Sequence, residues 1–304
     1  MRWVKKGLII QPTGELDWMV THASMPFADR ISDNTYRIYF CGRNDQCRAQ
    51  TGYIEIDINE PNQIRYITEK PILQLGSLGS FDDTGVWPSW IVHHNNMQYL
   101  YYTGRMAGVT VPFYSSTGLA ISKDGGRTFQ RYSRAPLLER NDVDPYLNAT
   151  PCVLVEGGKW RMWYSSGVSW QIENDKPKHF YHIKYAESED GINWERMGTV
   201  CIDFKSDDEY AIGRPCVLKE SGIYKMWYSY RGESYRLGYA ESNDGILWER
   251  KDDEVGIDVS GVGWDSEMIC YAHVFDHDGR KYMLYNGNSY GKTGMGYAVS
   301  NENI

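Results

Sequence analysis

Two carboxylates, Asp83 in "FDDTGVWP" and Glu267 in "GWDSEMICYA", stand five positions before Pro88 and Ala272, at the same offset from the start of an apolar run. A pair of carboxylates facing one cavity is what cleavage of a glycosidic bond needs. One protonates the leaving oxygen, and the other activates water or attacks directly. Other polar residues recur at matching places: His22 and Arg214 lie close to the proline of such runs, and Arg43, Arg105, Arg231 and Asn286 close the runs that follow. Trp170 and His182 belong to "GVSWQIENDKPKHFYH", which is longer than a hairpin requires. Long loops on a rigid scaffold tend to carry binding. Aromatic faces pack on the CH surfaces of sugars, and arginine forks take carboxylate or phosphate, so a carbohydrate is the ligand these residue types suit.

The elements that position them follow from internal repeats. "TPCVLVEGGKWRMWYSSG" from Thr150 overlays "RPCVLKESGIYKMWYSYRG" from Arg214 without a gap, and each leads to Tyr-Ala-Glu-Ser and a Ser-x-Asp-Gly turn. That turn occurs as "SKDGGRTF", "SEDGINWER" and "SNDGILWER", starting at Ser122, Ser188 and Ser242. Weaker copies begin near Ser24, Trp87 and Tyr271, which makes five units, each reading as a four-stranded antiparallel meander. Units of this size cannot bury both faces alone, so the repeat predicts an all-β, five-bladed β-propeller. The last unit stops at "AVSNENI", one strand short, while "WVKKGLII" aligns with "WERMGTVC" through Trp3 on Trp194 and Gly7 on Gly198. The N-terminal strand is therefore expected to complete the last blade and close residues 1–304 into a single domain. In this frame the Asp-Gly turns are scaffold, and chemistry belongs at the opposite ends of the strands.

Composition narrows the class of ligand. The 304 residues are 14% aromatic, with 24 Tyr and 11 Trp, and carry a formal charge of −8. Nothing in that balance offers the broad basic surface that nucleic acid needs, and no segment is long and apolar enough to span a membrane. "MRWVKKGLIIQPTGE" has too short an apolar run for a signal peptide, so a cytoplasmic location is expected. The six cysteines read as small buried residues rather than a disulfide framework. With no nucleotide loop, HExxH or His/Cys cluster, neither an organic cofactor nor a metal is called for. The sequence is silent on oligomeric state.

"SKDGGRTF" fits the Asp-box S-x-D-x-G-x-T-[WF] position for position, and the unit count and the DG-x-x-W turns make nearly the whole chain resemble the five-bladed propeller glycosidases. These include arabinanases and β-xylosidases, invertases and levansucrases, and β-mannoside phosphorylases. The resemblance implies an Asp before the first blade, an Asp before the second and a Glu before the third. Here Met25 precedes the first-blade proline and Asn148 and Thr150 stand in the third, so that Asp83 alone remains in place. Three readings follow: a glycoside hydrolase using Asp83 and Glu267, an inverting phosphorylase whose phosphate is gripped by Arg43, Arg105 and Arg214, or a propeller that binds carbohydrate without hydrolysing it. A sialidase ranks last, because that chemistry goes with six blades. Some relatives hold Ca²⁺ in the central channel, for which His22, Asp83 and Glu267 are the available ligands.

Overall fold

The computed structural model describes residues 2–301. β1 (Trp3–Ile10) opens the chain, and β2 (Thr21–Arg30), β3 (Thr35–Arg43), β4 (Ala49–Asp57) and β5 (Ile64–Ile67) form an antiparallel meander. The pattern repeats in β6 (Gly85–His94), β7 (Met97–Ala107), β8 (Phe113–Ser122) and β9 (Gln130–Arg131). It repeats again in β10 (Asn148–Glu156), β11 (Lys159–Glu173), β12 (Lys176–Ser188) and β13 (Val200–Ile202). A fourth copy runs through β14 (Ala211–Glu220), β15 (Ile223–Arg231), β16 (Tyr235–Ser242) and β17 (Glu249–Arg250). The last consists of β18 (Cys270–His277), β19 (Arg280–Asn286) and β20 (Met295–Ser300), and β1 pairs with β20 from Trp3 against Ser300 to Ile10 against Met295. The first strands pack against one another, β2 on β6, β6 on β10, β10 on β14, β14 on β18 and β18 on β2.

Two devices fasten the meanders, one joining neighbours and one tying together the strands within a meander. The first is the Asp-Gly turn. The Asp190 carboxylate accepts the N–H groups of Ile192 (2.8 Å) and Asn193 (2.7 Å), and Ser188 Oγ accepts that of Gly191 at 2.9 Å. Gly191 has φ of +73°, and a Cβ there would stand 2.7 Å from the Tyr101 hydroxyl, so glycine is required. Its carbonyl accepts that hydroxyl's hydrogen bond at 2.7 Å from the preceding meander. Gly126 and Gly245 take Tyr39 and Trp163 Nε1 in the same way, at 2.9 and 2.7 Å. The second device is a buried carboxylate clamped between a second-strand tyrosine and a fourth-strand cation. Asp82 holds Tyr102 (3.0 Å) and Arg131 (2.7 Å), Asp144 holds Tyr164 (3.0 Å) and Arg196 (2.8 Å), and Asp265 holds Tyr285 (3.0 Å) and Lys5 (2.7 Å). In the fourth meander Asp252 takes Tyr228 and Arg250, and Glu209 reinforces Arg250.

Cys41, Cys152, Cys201, Cys216 and Cys270 are buried and unbridged, whereas Cys47 is exposed in a tight turn with φ of +59°. Among the described residues no helix is long and apolar enough to cross a membrane.

Candidate functional site

The residue before each first-strand proline does the shaping. Met25, Thr150 and Arg214 have φ of 60°, 47° and 54°, and Tyr271, before Ala272, has 57°. Side chains other than glycine adopt this left-handed conformation only where surrounding contacts hold it. Those contacts are present: the N–H of Met25 donates to Asn286 Oδ1 (3.1 Å), that of Thr150 to Thr103 Oγ1 (2.8 Å), that of Arg214 to Thr150 Oγ1 (3.1 Å) and that of Tyr271 to Ser229 Oγ (2.7 Å). Each kink interrupts the pairing of its first strand. With Trp87, the equivalent residue of the second meander, these four line one cavity of about 320 Å³.

Strands β3, β7 and β15 carry "CGR", "TGR" and "SYR", which bring Arg43, Arg105 and Arg231 to the same cavity from equivalent positions. Arg105 lies between the rings of Phe113 and Trp87, 3.8 and 4.8 Å from their centroids. Arg231 is flanked by Tyr210 and Tyr235 at 5.3 and 5.4 Å and donates to the Tyr290 hydroxyl. Arg214, 1% exposed, reaches from β14 to β6 and β2 and donates to the carbonyls of Ser89 and Pro26. Elsewhere Arg131, Arg196 and Arg250 each meet a carboxylate, but among the described residues no Asp or Glu lines this cavity. The Nε of Arg43, Arg105, Arg214 and Arg231 are all buried without a partner.

Burial lowers Arg105 to about 10, helped by Arg43, and burial lowers Arg214 to about 10, so both stay charged at neutral pH. Burial, then Arg105 and Arg231, push His179 down to about 4, and burial raises Tyr181 to about 12; both are neutral there. The Tyr181 and Tyr235 hydroxyls bond each other. A cleft of about 250 Å³ adjoins the cavity, sharing Arg43, Arg105, Trp87 and Phe113 and adding Gln46, Arg48 and Thr84. A shallower groove of about 570 Å³ lies at the opposite ends of the strands, beside Arg30, His93 and the Ser122 turn.

Of the residues singled out from sequence, the cavity gathers Arg43, Arg105, Arg214 and Arg231. Asp83 and Glu267 do not line it. Asp83, half-buried, accepts the Gly79 N–H at 2.9 Å through Oδ2, leaves Oδ1 buried without a partner and directly precedes Thr84 of the adjoining cleft. Glu267 is exposed, its N–H donating to Asn288 Oδ1 (2.8 Å) and its carbonyl accepting from Ser234 and Arg236 (both 2.9 Å). Asn286 is fully buried and occupied with Met25. Trp170 stands behind the wall, its ring 5.3 Å from Phe113 and 5.4 Å from His179. His182 meets Asp203 at 3.0 Å and Phe204 on the far side of β12, because side chains alternate along a strand and it is His179 and Tyr181 that point inward. His22 contacts the Thr21 hydroxyl (2.9 Å), and burial, Arg43 and Lys292 lower it to about 4. Among the described residues no three His, Cys, Asp or Glu side chains are grouped to hold a metal, so His22, Asp83 and Glu267 do not form the Ca²⁺ site that the resemblance allowed. Of the aromatic wall, Trp87, Phe113, Tyr181, Tyr235 and Tyr271 were not singled out. For Trp87 and Tyr271 the signal was available, since both sit where the strand proline is aligned.

No family model matches the chain. It is 43% identical over 98% of its length to the uncharacterized protein MT1551 of Mycobacterium tuberculosis (strain CDC 1551 / Oshkosh), of which it covers 99%, and 42% identical over the same shares to Rv1502 of strain ATCC 25618 / H37Rv. A stretch of 79 residues, 24% of this chain and 27% of the relative, is 34% identical to a 1,2-beta-oligomannan phosphorylase of Thermoanaerobacter sp. (strain X514). Among solved structures it is similar to a glycoside hydrolase (TM-score 0.77, 19% identity, 99% of this chain and 92% of that one) and to a thermostable family-43 glycoside hydrolase (0.67, 18%, 95% and 91%). A third is a mutant of the Bombyx mori GH32 beta-fructofuranosidase in complex with sucrose (0.64, 15%, 96% and 62%). Identities this low speak for the fold alone. The chain thus has the fold of the propeller glycoside hydrolases, and its identity with MT1551 and Rv1502 across nearly the full length of both places it in the family of those two proteins.

Proposed function

We propose that the chain is a glycan-cleaving enzyme of the glycoside hydrolase kind, built as one closed ring of five four-stranded blades, with the glycan bound in the cavity at the pre-proline residues. Closure is supported by the pairing of β1 with β20 and by the contact of β18 with β2. The observation that carries the function is the cavity itself. It combines aromatic faces, which suit sugar CH surfaces, with charged arginines in the centre of a glycosidase fold.

In this reading Asp83 is the acid. It directly precedes Thr84 of the cleft that adjoins the cavity, and its buried Oδ1 has no partner among the described residues. Glu267, exposed in the loop just before β18, is assigned the role of base. A second reading, phosphorolysis, is favoured by the arginines and by the 79-residue similarity to an oligomannan phosphorylase. An oriented phosphate held by Arg43 and Arg105 needs no basic carboxylate to attack the anomeric carbon, and Asp83 alone would suffice. Assay of glycosides with and without inorganic phosphate separates the two. Release of free sugar in phosphate-free buffer supports hydrolysis, and phosphate-dependent formation of a sugar 1-phosphate supports phosphorolysis. Cleavage of no glycoside in either buffer, with sugar still bound, would leave a binding propeller.

A further inference from the structure

We infer that the sugar taken by the cavity carries a negative charge of its own, a carboxylate or a phosphate ester, gripped by Arg43, Arg105 and Arg231. The inference rests on reading the cavity as a glycan site and names the class of glycan. Its first support is the lack of a countercharge among the described residues. Burying a guanidinium away from water is costly unless an anion or strong acceptor meets it. The chain satisfies that requirement for the arginines of its fourth strands, with Asp82 for Arg131, Asp144 for Arg196 and Glu209 for Arg250. At the cavity it supplies no carboxylate, in a protein whose net charge is −8. Arg214 is accounted for by two main-chain carbonyls, but Arg43, Arg105 and Arg231 are not so matched: among the described residues the first two meet no acceptor and the third only a tyrosine hydroxyl.

The second support is the hydrogen-bonding character of the wall. The hydroxyl groups of a neutral sugar donate as well as accept, and their donors are best met by a carboxylate or amide oxygen. Among the described residues no Asp, Glu, Asn or Gln lines the cavity. The hydroxyls of Thr103, Thr150 and Ser165 are engaged with strand N–H groups or with each other, and those of Tyr181 and Tyr235 are engaged together. The dominant remaining group is guanidinium, a donor and never an acceptor. An acceptor-only group such as carboxylate or phosphate matches it, and stacking on Phe113, Trp87, Tyr210 and Tyr235 fixes the orientation of two of the forks before the ligand arrives.

Calorimetric titration of the full chain tests this with D-glucuronate, D-galacturonate and N-acetylneuraminate as carboxylates, and glucose 1-phosphate and glucose 6-phosphate as esters. D-glucose, D-galactose and inorganic phosphate serve as references. The expected result is binding of a carboxylate or an ester at least tenfold tighter than its neutral parent and than inorganic phosphate, with the preferred arm identifying the source of the charge. Arg43→Gln and Arg231→Gln should each weaken that binding tenfold or more while the unfolding temperature of the unliganded protein stays within a few degrees of the parent. If either variant fails to fold, the parent's affinity should still fall steeply with added sodium chloride. Neutral sugars binding as tightly as anionic ones, no binding of any anionic sugar, or anionic binding indifferent to both substitutions and to salt would each overturn the inference. Cleavage of a neutral glycoside without anionic binding overturns the inference and spares the proposed function. Tight anionic binding with no glycoside cleaved does the reverse.

Discussion

Arg214 shows how much of a residue's role its sequence context conveys. Its place before a strand proline marks it as facing the centre, but nothing local reveals that its guanidinium crosses to the carbonyls of Ser89 and Pro26, since those partners lie 125 and 188 positions away. Arg214→Met leaves both carbonyls buried without a donor, and a loss of roughly 1–3 kcal/mol in a urea titration is expected, beyond any effect on ligand. The carboxylates are the complementary case. Their repeat offset was readable, their orientation was not, because both lie in the loops ahead of β6 and β18, where no strand alternation fixes which side chains turn inward. If Asp83 and Glu267 act as acid and base, Asp83→Asn and Glu267→Gln each reduce turnover by about a hundredfold or more with little change in the far-UV spectrum. Turnover at the parental rate in both removes them from the mechanism. Protonation also reaches stability. Burial holds His22 and His179 at about 4 and His273 well below its ordinary value, while the unfolded chain titrates near 6.5. Between those values the unfolded state binds more protons, so stability is fully present above about pH 6.5 and declines as pH falls toward 4. Denaturant titrations across that window check it, and His179→Gln should flatten the slope.

At the level of elements, the repeat carried most of the meaning. Matching prolines, glycines and tryptophans placed the strands, and alignment of Trp3 with Trp194 anticipated that β1 pairs with β20. The same register shows in chemistry that went unread. Lys5, Arg131, Arg196 and Arg250 stand two positions after Trp3, Phe129, Trp194 and Trp248, and every one of them clamps a buried carboxylate. The Asp clamps were missed because their partners come from different strands of the meander. The parity of β12 was missed because "KPKHFYHIKY" offers aromatic or histidine residues on both faces, so His182 and His179 could not be told apart. The Asp-Gly turn makes a separable prediction. Asp244 accepts the N–H groups of Ile246 (2.8 Å) and Leu247 (2.9 Å) outside the cavity. Asp190→Ala and Asp244→Ala should therefore cost roughly 0.5–2 kcal/mol of stability and leave ligand affinity unchanged. A loss of affinity at constant stability would assign the turns to the site instead.

For the whole molecule, the two ends of the strands differ in kind. One end gathers the arginines, the left-handed kinks and the aromatic wall; the other holds the Asp-Gly turns and a shallow groove beside Arg30 and His93. A net negative protein whose arginines without carboxylate partners gather at one end attracts an anion there, whereas the buried Arg37 and Lys281 of the other end are already paired with Glu55 and Glu220. The fold was legible because it is written in many weakly specific positions at once, whereas the site depends on a few side chains whose direction is set by backbone kinks that composition and spacing do not encode. A crystal structure of the protein soaked with a uronic acid tests this division most directly. The carboxylate is expected within hydrogen-bonding distance of Arg43, Arg105 or Arg231 and the ring against Tyr271 or Trp87; a sugar seated instead in the groove beside Arg30, His93 and Ser122, with nothing bound at the arginines, would overturn the assignment.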